Sequence, residues 1–456
     1  MSTTLIAPEK ISTLLKSMRT PSVVGVCRAP GRVNLIGEHT DYNGFSVLPI
    51  TIKKEIHALF FSRNDHIISL SNDNPQFSPV SFINSEHIAP SATGAWENYV
   101  KSAVVAINKK FNVKDYPGFH IHISSDLPIA SGLSSSSALV ITSALAYLKI
   151  LGIELNKKIS RPELSELMAE AEHFVGTRGG GMDQTVILNG GENYACKIDF
   201  FPIKTQLIPL FEDFIFVVCD STIRAPKTGS CLSKYNSGPI MCSIATAIFE
   251  RYLQEKIDKS IKIQRLSDLW SGDLCLTLKE ILELNNTIFT KETLTSREIA
   301  NLLNISPTHL REKWLKEIEE PPNGFPLKAK VRHVITEHSR VELCRDALIA
   351  NNPYTFGQLM NESHKSCAKD YEISTPELEM LTKIARKAGA IGSRLTGAGF
   401  GGCTINLIPK ENVEKFMEEV EKEYYRKYLG LSSAKGMFIA ETADPADYIK
   451  LEHIKT

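Results

Sequence analysis

The sequence predicts an α+β protein of two domains, with a place for an anion at the start of a buried helix. Three observations carry this. The chain has 456 residues, past the length at which a single hydrophobic core keeps growing, so two domains are expected. Segments of strand character mix with long helical stretches without regular βαβ alternation, which favours an α+β layout. The third is PIASGLSSSSAL at 128–139, where a proline, a glycine and four serines run directly into an apolar segment. Serine disfavours helix interiors and suits helix starts, where its hydroxyl can satisfy backbone N–H groups left without partners. A helix start carries partial positive charge, and small side chains let a large anion approach the backbone. Phosphate is the natural candidate.

The elements follow in chain order. Val23 to Arg28 is β-rich and runs into Ala29-Pro30-Gly31, which predicts a turn before a second apolar run at Val33 to Gly37. Lys53 to Ser62 reads as a strand. In GFHIHISSDLP, Phe119, Ile121 and Ile123 alternate with His120 and His122, the pattern of a half-buried strand whose histidines face solvent. The serine run and its helix come next. Pro162 opens a helix through Glu172 that ends in GTRGGGMDQ. DFIFVVCDS at 213–221 starts the second half, with the boundary just before it, so the domains are expected at 1–210 and 211–456. Helices follow, then strands at Gly402 to Pro409 and, last, around Met437 to Thr442.

Composition narrows the function. Fifty-two Lys plus Arg balance 52 Asp plus Glu, so no global charge draws the chain to nucleic acid or an anionic membrane. SREIANLLNISPTHLREKW at 296–314 has helix-turn-helix spacing, but without a basic flank a packed helical hairpin is expected. Nine cysteines, odd in number and without a CxxC pair, predict neither a disulfide framework nor a zinc module. The first residues, MSTTLIAPEK, have no basic start or apolar stretch of a signal peptide. Ala138 to Leu148 is too short to span a bilayer. A cytoplasmic protein follows, and since no feature requires an oligomer, a monomer.

The chemistry concentrates in RAPGRVNLIGEHTDYNGFSVLP at 28–49, where Arg32, Glu38, His39 and Asp41 crowd a Gly- and Pro-punctuated stretch. Packing gives no reason for such a cluster between two strands. Each ionised carboxylate can accept two hydroxyl protons in fixed directions, so a polyhydroxylated ligand such as a sugar suits it. No Walker A or protein-kinase motif occurs.

GRVNLIGEHTDYNG at 31–44 resembles the galactokinase signature almost letter for letter. Residues 128–139 resemble the phosphate loop of the GHMP small-molecule kinases, and SRLTGAGFGGC at 393–403 resembles their third, glycine-rich motif. Weaker echoes occur at WENYV (96–100), RHVITEHSRV (332–341) and LMNESHKSC (359–367). Within that family, GTRGGGMDQ at 176–184 looks most like the N-acetylgalactosamine kinase branch, because galactokinases of the other branch usually carry a cysteine and a bulkier residue there. Small residues beside the sugar would leave room for an acetamido group at C2.

The resemblance implies a two-domain GHMP kinase fold with its active site between the domains, and an ATP- and magnesium-dependent sugar 1-kinase. Backbone N–H groups around Gly132, Leu133, Ser134, Ser135 and Ser136 would receive the ATP phosphates. Ser136 and Glu172, eleven residues before Asp183, would hold magnesium, which often takes only one or two protein oxygens. Asp183 is the implied catalytic carboxylate, with Arg32 beside it to favour its charged form and to stabilise the transferring phosphoryl group. Glu38, His39, Asp41, Gly180 and Tyr235 are the implied sugar contacts, with Arg32 and Asp183. Gly397 to Gly401 are expected to close over ATP.

One departure stands out. After Tyr235 and Asn236 the family usually places an arginine two positions on and a glutamate shortly before a cysteine, whereas this chain reads SKYNSGPIMC, with Gly238, Pro239 and Met241. A proline there predicts an altered backbone. Alternatives to a kinase acting on N-acetylgalactosamine, galactose or both are a strict galactokinase and a non-catalytic sensor that binds sugar and ATP. The intact serine loop, Arg32 and Asp183 speak against the sensor. The NDNP turn at 72–75 is a candidate adenine contact, although such a turn is more often only a turn.

Overall fold

The stretch 24–34 forms one strand rather than two runs around a turn. Strand β1 (Val24–Asn34) passes straight through Ala29-Pro30-Gly31. It pairs antiparallel with β2 (Pro49–Ser62), and the register jumps from Pro30↔Glu55 to Gly31↔Ile52. The bulge absorbs the proline, which has no N–H to give the ladder. The result carries Arg32 on a rigid strand. A computed structural model describes residue 6 and residues 23–449 apart from 130, 177–178, 225–229, 273, 317 and 435, with only the backbone of 230–235.

The first sheet has the order β12-β1-β2-β5-β3-β4, where β3 is Ile67–Asn72, β4 Val80–Ile83, β5 Phe119–Ser125 and β12 Asp447–Ile449. Helices α1 (Glu97–Phe111) and α2 (Ser135–Ile150) pack with it around Val33, Phe60, Ile121 and Tyr147. The second sheet, β11-β8-β10-β9, comprises β8 (Phe214–Asp220), β9 (Gly392–Thr396), β10 (Cys403–Pro409) and β11 (Met437–Ile439). Strands β6 (Tyr194–Asp199) and β7 (Lys204–Pro209) form a separate hairpin. The mixture of sheets and helices is the predicted α+β class.

Several expectations are corrected. His122 does not face solvent: β5 lies between β2 and β3, and the His122 ring is buried with Ser71 Oγ 2.8 Å from Nδ1 and Asp73 Oδ1 3.3 Å from Nε2. His120 is partly buried and stacks on Phe61 at 4.7 Å. Alternation marks two faces of a strand, but a central strand can have both covered. The strand at 437–439 is not the last, because β12 follows and joins β1 in the first sheet. Pro239 does not interrupt the helix it occupies, since Ser230–Lys256 runs through it as one element with a single backbone donor missing.

The 296–314 segment behaves as a packed hairpin. Ile299, Ala300, Leu303 and Leu310 are buried in a second core with Phe249, Phe289 and Val331. The eight described cysteines with placed side chains are all free. Among the described residues, no helix is long and apolar enough to cross a membrane.

Candidate active site

Strand β5 leads into the serine loop, and α2 starts at Ser135. The Ser134 hydroxyl does not cap this helix. It donates instead to Asp183 Oδ2, across the mouth of a cleft. Gly132, Ser134, Ser136 and Ser137 line this cleft of about 620 Å³, while Leu133 is buried beneath it and gives its carbonyl to Arg32 N at 3.3 Å. Ser135 is not among the lining residues. The glycine-rich loop after β9 forms the facing lip, with Gly397 to Gly402 all at the cavity. Cys403 Sγ ties the two loops by donating to Ser131 O at 3.1 Å.

Asp183 sits in the first turn of the helix Met182–Asn189. Arg32 holds it by a two-point fork, Nε to Oδ1 at 2.6 Å and Nη2 to Oδ2 at 2.8 Å, and its third nitrogen donates to Gly132 O at 2.5 Å. This planar geometry fixes orientation as well as charge. The Arg32 side chain is 6% exposed and that of Asp183 25%, so Asp183 is the more exposed partner and lines the cleft.

The sugar-type cluster lies on the next wall. Glu38 accepts from Asn34 Nδ2 at 2.9 Å, Gly397 N at 2.9 Å and Arg394 Nη1 at 3.1 Å. Burial pushes its pKa up against the opposing pull of Arg394. His39 Nε2 lies 3.2 Å from Ala398 O and Nδ1 lies 2.9 Å from Tyr42 Oη. A carbonyl only accepts, so Nε2 carries the proton and Tyr42 donates to Nδ1. Burial and the neighbouring His333 push His39 down to about 3, which keeps it neutral. Burial, with the Asp183 carboxylate nearby, pushes Asp41 up to about 6. Gly180 is required here: a Cβ would fall 2.3 Å from Tyr42 N and 2.5 Å from Asp41 Cγ. The glycine loop and the sugar loop thus touch backbone to backbone.

Ser136 and Glu172 both line the cleft. Ser137, which the sequence analysis did not single out, donates to Glu172 Oε1 at 2.7 Å, and Gln184 Nε2 lies 3.4 Å from Ser137 Oγ. A further wall comprises Phe174 and parts of the 90–99 segment, including Asn98 and Tyr99. WENYV at 96–100, quoted above only as a weaker family echo, supplies Asn98 and Tyr99 to this wall. The turn at 72–75 is not part of the cleft. The Tyr235 side chain lies outside the described residues.

The site can be compared with known proteins. Residues 17–60 match the galactokinase galactose-binding signature, 98–191 the GHMP kinases N terminal domain and 344–427 the GHMP kinases C terminal family. A galactokinase of Dictyostelium discoideum is 34% identical over 442 residues, covering 90% of this chain and 86% of that one. A galactokinase of Chloroflexus aggregans is 34% identical over 400 residues, covering 86% of each. Among solved structures, Lactococcus lactis galactokinase complexed with galactose superposes with a TM-score of 0.77 at 27% identity, covering 96% of this chain and 98% of that one. Methanococcus jannaschii mevalonate kinase, with a TM-score of 0.57 and 18% identity over 93% of this chain and 99% of its own, shares the fold alone. With these matches spanning the arms of the cleft, the chain belongs to the galactokinase family of GHMP kinases and is a sugar kinase of that type.

Proposed function

We propose that this protein transfers the terminal phosphoryl group of ATP to the anomeric hydroxyl of N-acetylgalactosamine, galactose or both, giving the sugar 1-phosphate and ADP. The observation that carries this is the Arg32–Asp183 fork, set where the serine loop meets the sugar-type cluster. Asp183 takes or orients the proton of the attacking hydroxyl, and Arg32 offers positive charge to the phosphoryl oxygens. Glu38 and Asp41 accept from the other hydroxyls, and the His39 ring, its two nitrogens engaged by Tyr42 and Ala398 O, forms part of the wall against which the sugar sits. The nucleoside end of ATP lies along the 90–99 wall. The sugar loop, serine loop and Asp183 precede residue 210 and the glycine-rich lip follows it, which favours a division of roles between 1–210 and 211–456, although β12 at 447–449 returns to the first sheet and belongs with the first part.

Magnesium fits Ser136 and Glu172. Both line the cleft with oxygen-bearing side chains, and Ser137 holds the Glu172 carboxylate in place by its bond to Oε1. Among the described residues, no three acidic, His or Cys side chains form a metal cluster. An ion held by these two side chains would complete its shell from phosphates and water. Bound there, it would neutralise charge on the phosphates.

Two observations bear on the sugar. Among the described residues, a Cβ added at Gly179 would meet nothing within 4 Å, which favours room for an acetamido group. The named relatives, in contrast, are galactokinases. Initial rates of ADP release with galactose, N-acetylgalactosamine, glucose and N-acetylglucosamine in parallel test the proposal, read as ratios of kcat/KM. A preference for N-acetylgalactosamine supports the role of Gly179, a preference for galactose assigns a strict galactokinase, and no turnover with any sugar points to a sensor.

The pH dependence has a defined sign. Asp41, raised to about 6, accepts from sugar hydroxyls with both oxygens when ionised and more weakly once protonated, when one oxygen becomes a donor. The kcat/KM for sugar is expected to fall as pH drops through about 6. Asp41→Asn should lower kcat/KM and flatten that limb. An unchanged inflection in the variant would remove Asp41 from this role.

A further inference from the structure

The departure at Gly238 has a structural counterpart. A Cβ there would lie 2.6 Å from Tyr371 Oη and 3.1 Å from its ring, so only glycine admits this tyrosine in its observed place. Tyr371 is buried and does not line the cleft. Its hydroxyl is hydrogen-bonded to that of Tyr42, and Tyr42 to His39 Nδ1. His39 Nδ1 can only accept, so Tyr42 donates to it and Tyr371 donates to Tyr42. The His39 ring also stacks on Tyr371 at 4.6 Å. Lys330 anchors Tyr371 by donating to its carbonyl and places Nζ 4.9 Å above its ring.

The direction of donation continues from His39 Nε2 to Ala398 O in the glycine-rich lip. One chain of hydrogen bonds therefore runs from the helical region behind the cleft, through the sugar-type cluster, to the opposite lip. Each link fixes the orientation of the next, as buried polar chains do when every member is satisfied.

We propose that Tyr371 is a positioning residue for the sugar, acting through Tyr42 on His39, and that Gly238 is the notch that lets it do so. The proposal rests on the sugar-kinase reading above. It separates Tyr371 from Asp183 and Arg32, which act on the reacting atoms: loss of the Tyr371 hydroxyl loosens the sugar's seat without touching ATP or the phosphoryl group.

The test compares Tyr371→Phe, Gly238→Ala and the double variant, with thermal midpoints to establish that each is folded. Tyr371→Phe is expected to raise the KM for sugar about fivefold, the worth of roughly one hydrogen bond, with kcat and the KM for ATP nearly unchanged. Gly238→Ala is expected to give the same signature by pushing the hydroxyl aside, and the double variant to be no worse than either single change. Additive effects, an unchanged sugar KM in folded Tyr371→Phe, or equal losses in kcat and ATP affinity would overturn the proposal. Wild-type turnover in the same assay checks the sugar-kinase reading separately. If it shows none, calorimetric binding of galactose still decides: weaker binding by Tyr371→Phe supports the positioning role, and unchanged binding refutes it.

Discussion

Asp183→Ala is expected to lower kcat by about 10³–10⁴-fold while ATP binding stays within about threefold, measured by single-turnover phosphoryl transfer and by calorimetry. In the proposed reaction this carboxylate meets the attacking hydroxyl, and Arg32 locks it by a two-point fork. A loose phosphoryl-transfer transition state needs little base strength, so the loss comes chiefly from placement. Asp183→Asn should not rescue it. An amide keeps the shape but turns one N–H toward the guanidinium, which has no lone pair to receive it. Near-normal turnover in either variant would remove Asp183 from the reaction.

The second large effect is on stability. Arg394 is fully buried and donates to Glu38, to Ser363 and to the carbonyls of Asn34 and Leu35, with Glu337 3.8 Å away. Burial alone would raise Glu337, but Arg340 and Arg394 outweigh it and hold the group down at about 2. Arg394→Met leaves two buried carboxylates without this cation, and a loss of about 3–5 kcal/mol is expected from denaturant unfolding. Adding Glu38→Gln and Glu337→Gln should recover part of it, because the uncompensated charge is then gone. An unfolding midpoint for Arg394→Met equal to that of the unmodified protein would show that the ion pairs are not what holds the sugar loop to β9.

The sequence made some of this legible and hid the rest for identifiable reasons. The serine loop, the sugar-type cluster and the glycine-rich lip are contiguous and dense in glycine, so each announces itself in a short window. The structure brings all three to one cleft. Arg394 stood inside a motif, but its partners Glu38 and Glu337 lie 356 and 57 positions away, and only folding shows that it serves them. Ser137 was hidden in a run of four identical residues. Tyr371 lies outside every quoted motif, and the odd SGPIM sequence that accommodates it looked like damage to a helix. His122 was misread because alternation reports the two faces of a strand and not what lies over each one. The extra strand β12 has three residues and no periodicity to detect.

That short strand has a consequence for how the protein is made. β1, which carries Arg32, has β2 on one side and β12 on the other. During translation its outer edge must wait for about 400 further residues, or roughly 20–80 s at ordinary elongation rates. An open edge is a template for pairing with a neighbouring nascent chain. The Arg161 guanidinium, which bonds Leu188 O and Ala446 O at 2.8 Å, clamps the returning segment once it arrives. Until then the strand that carries Arg32 is shielded on one edge only, and it closes when residues 447–449 have been made and pair with it.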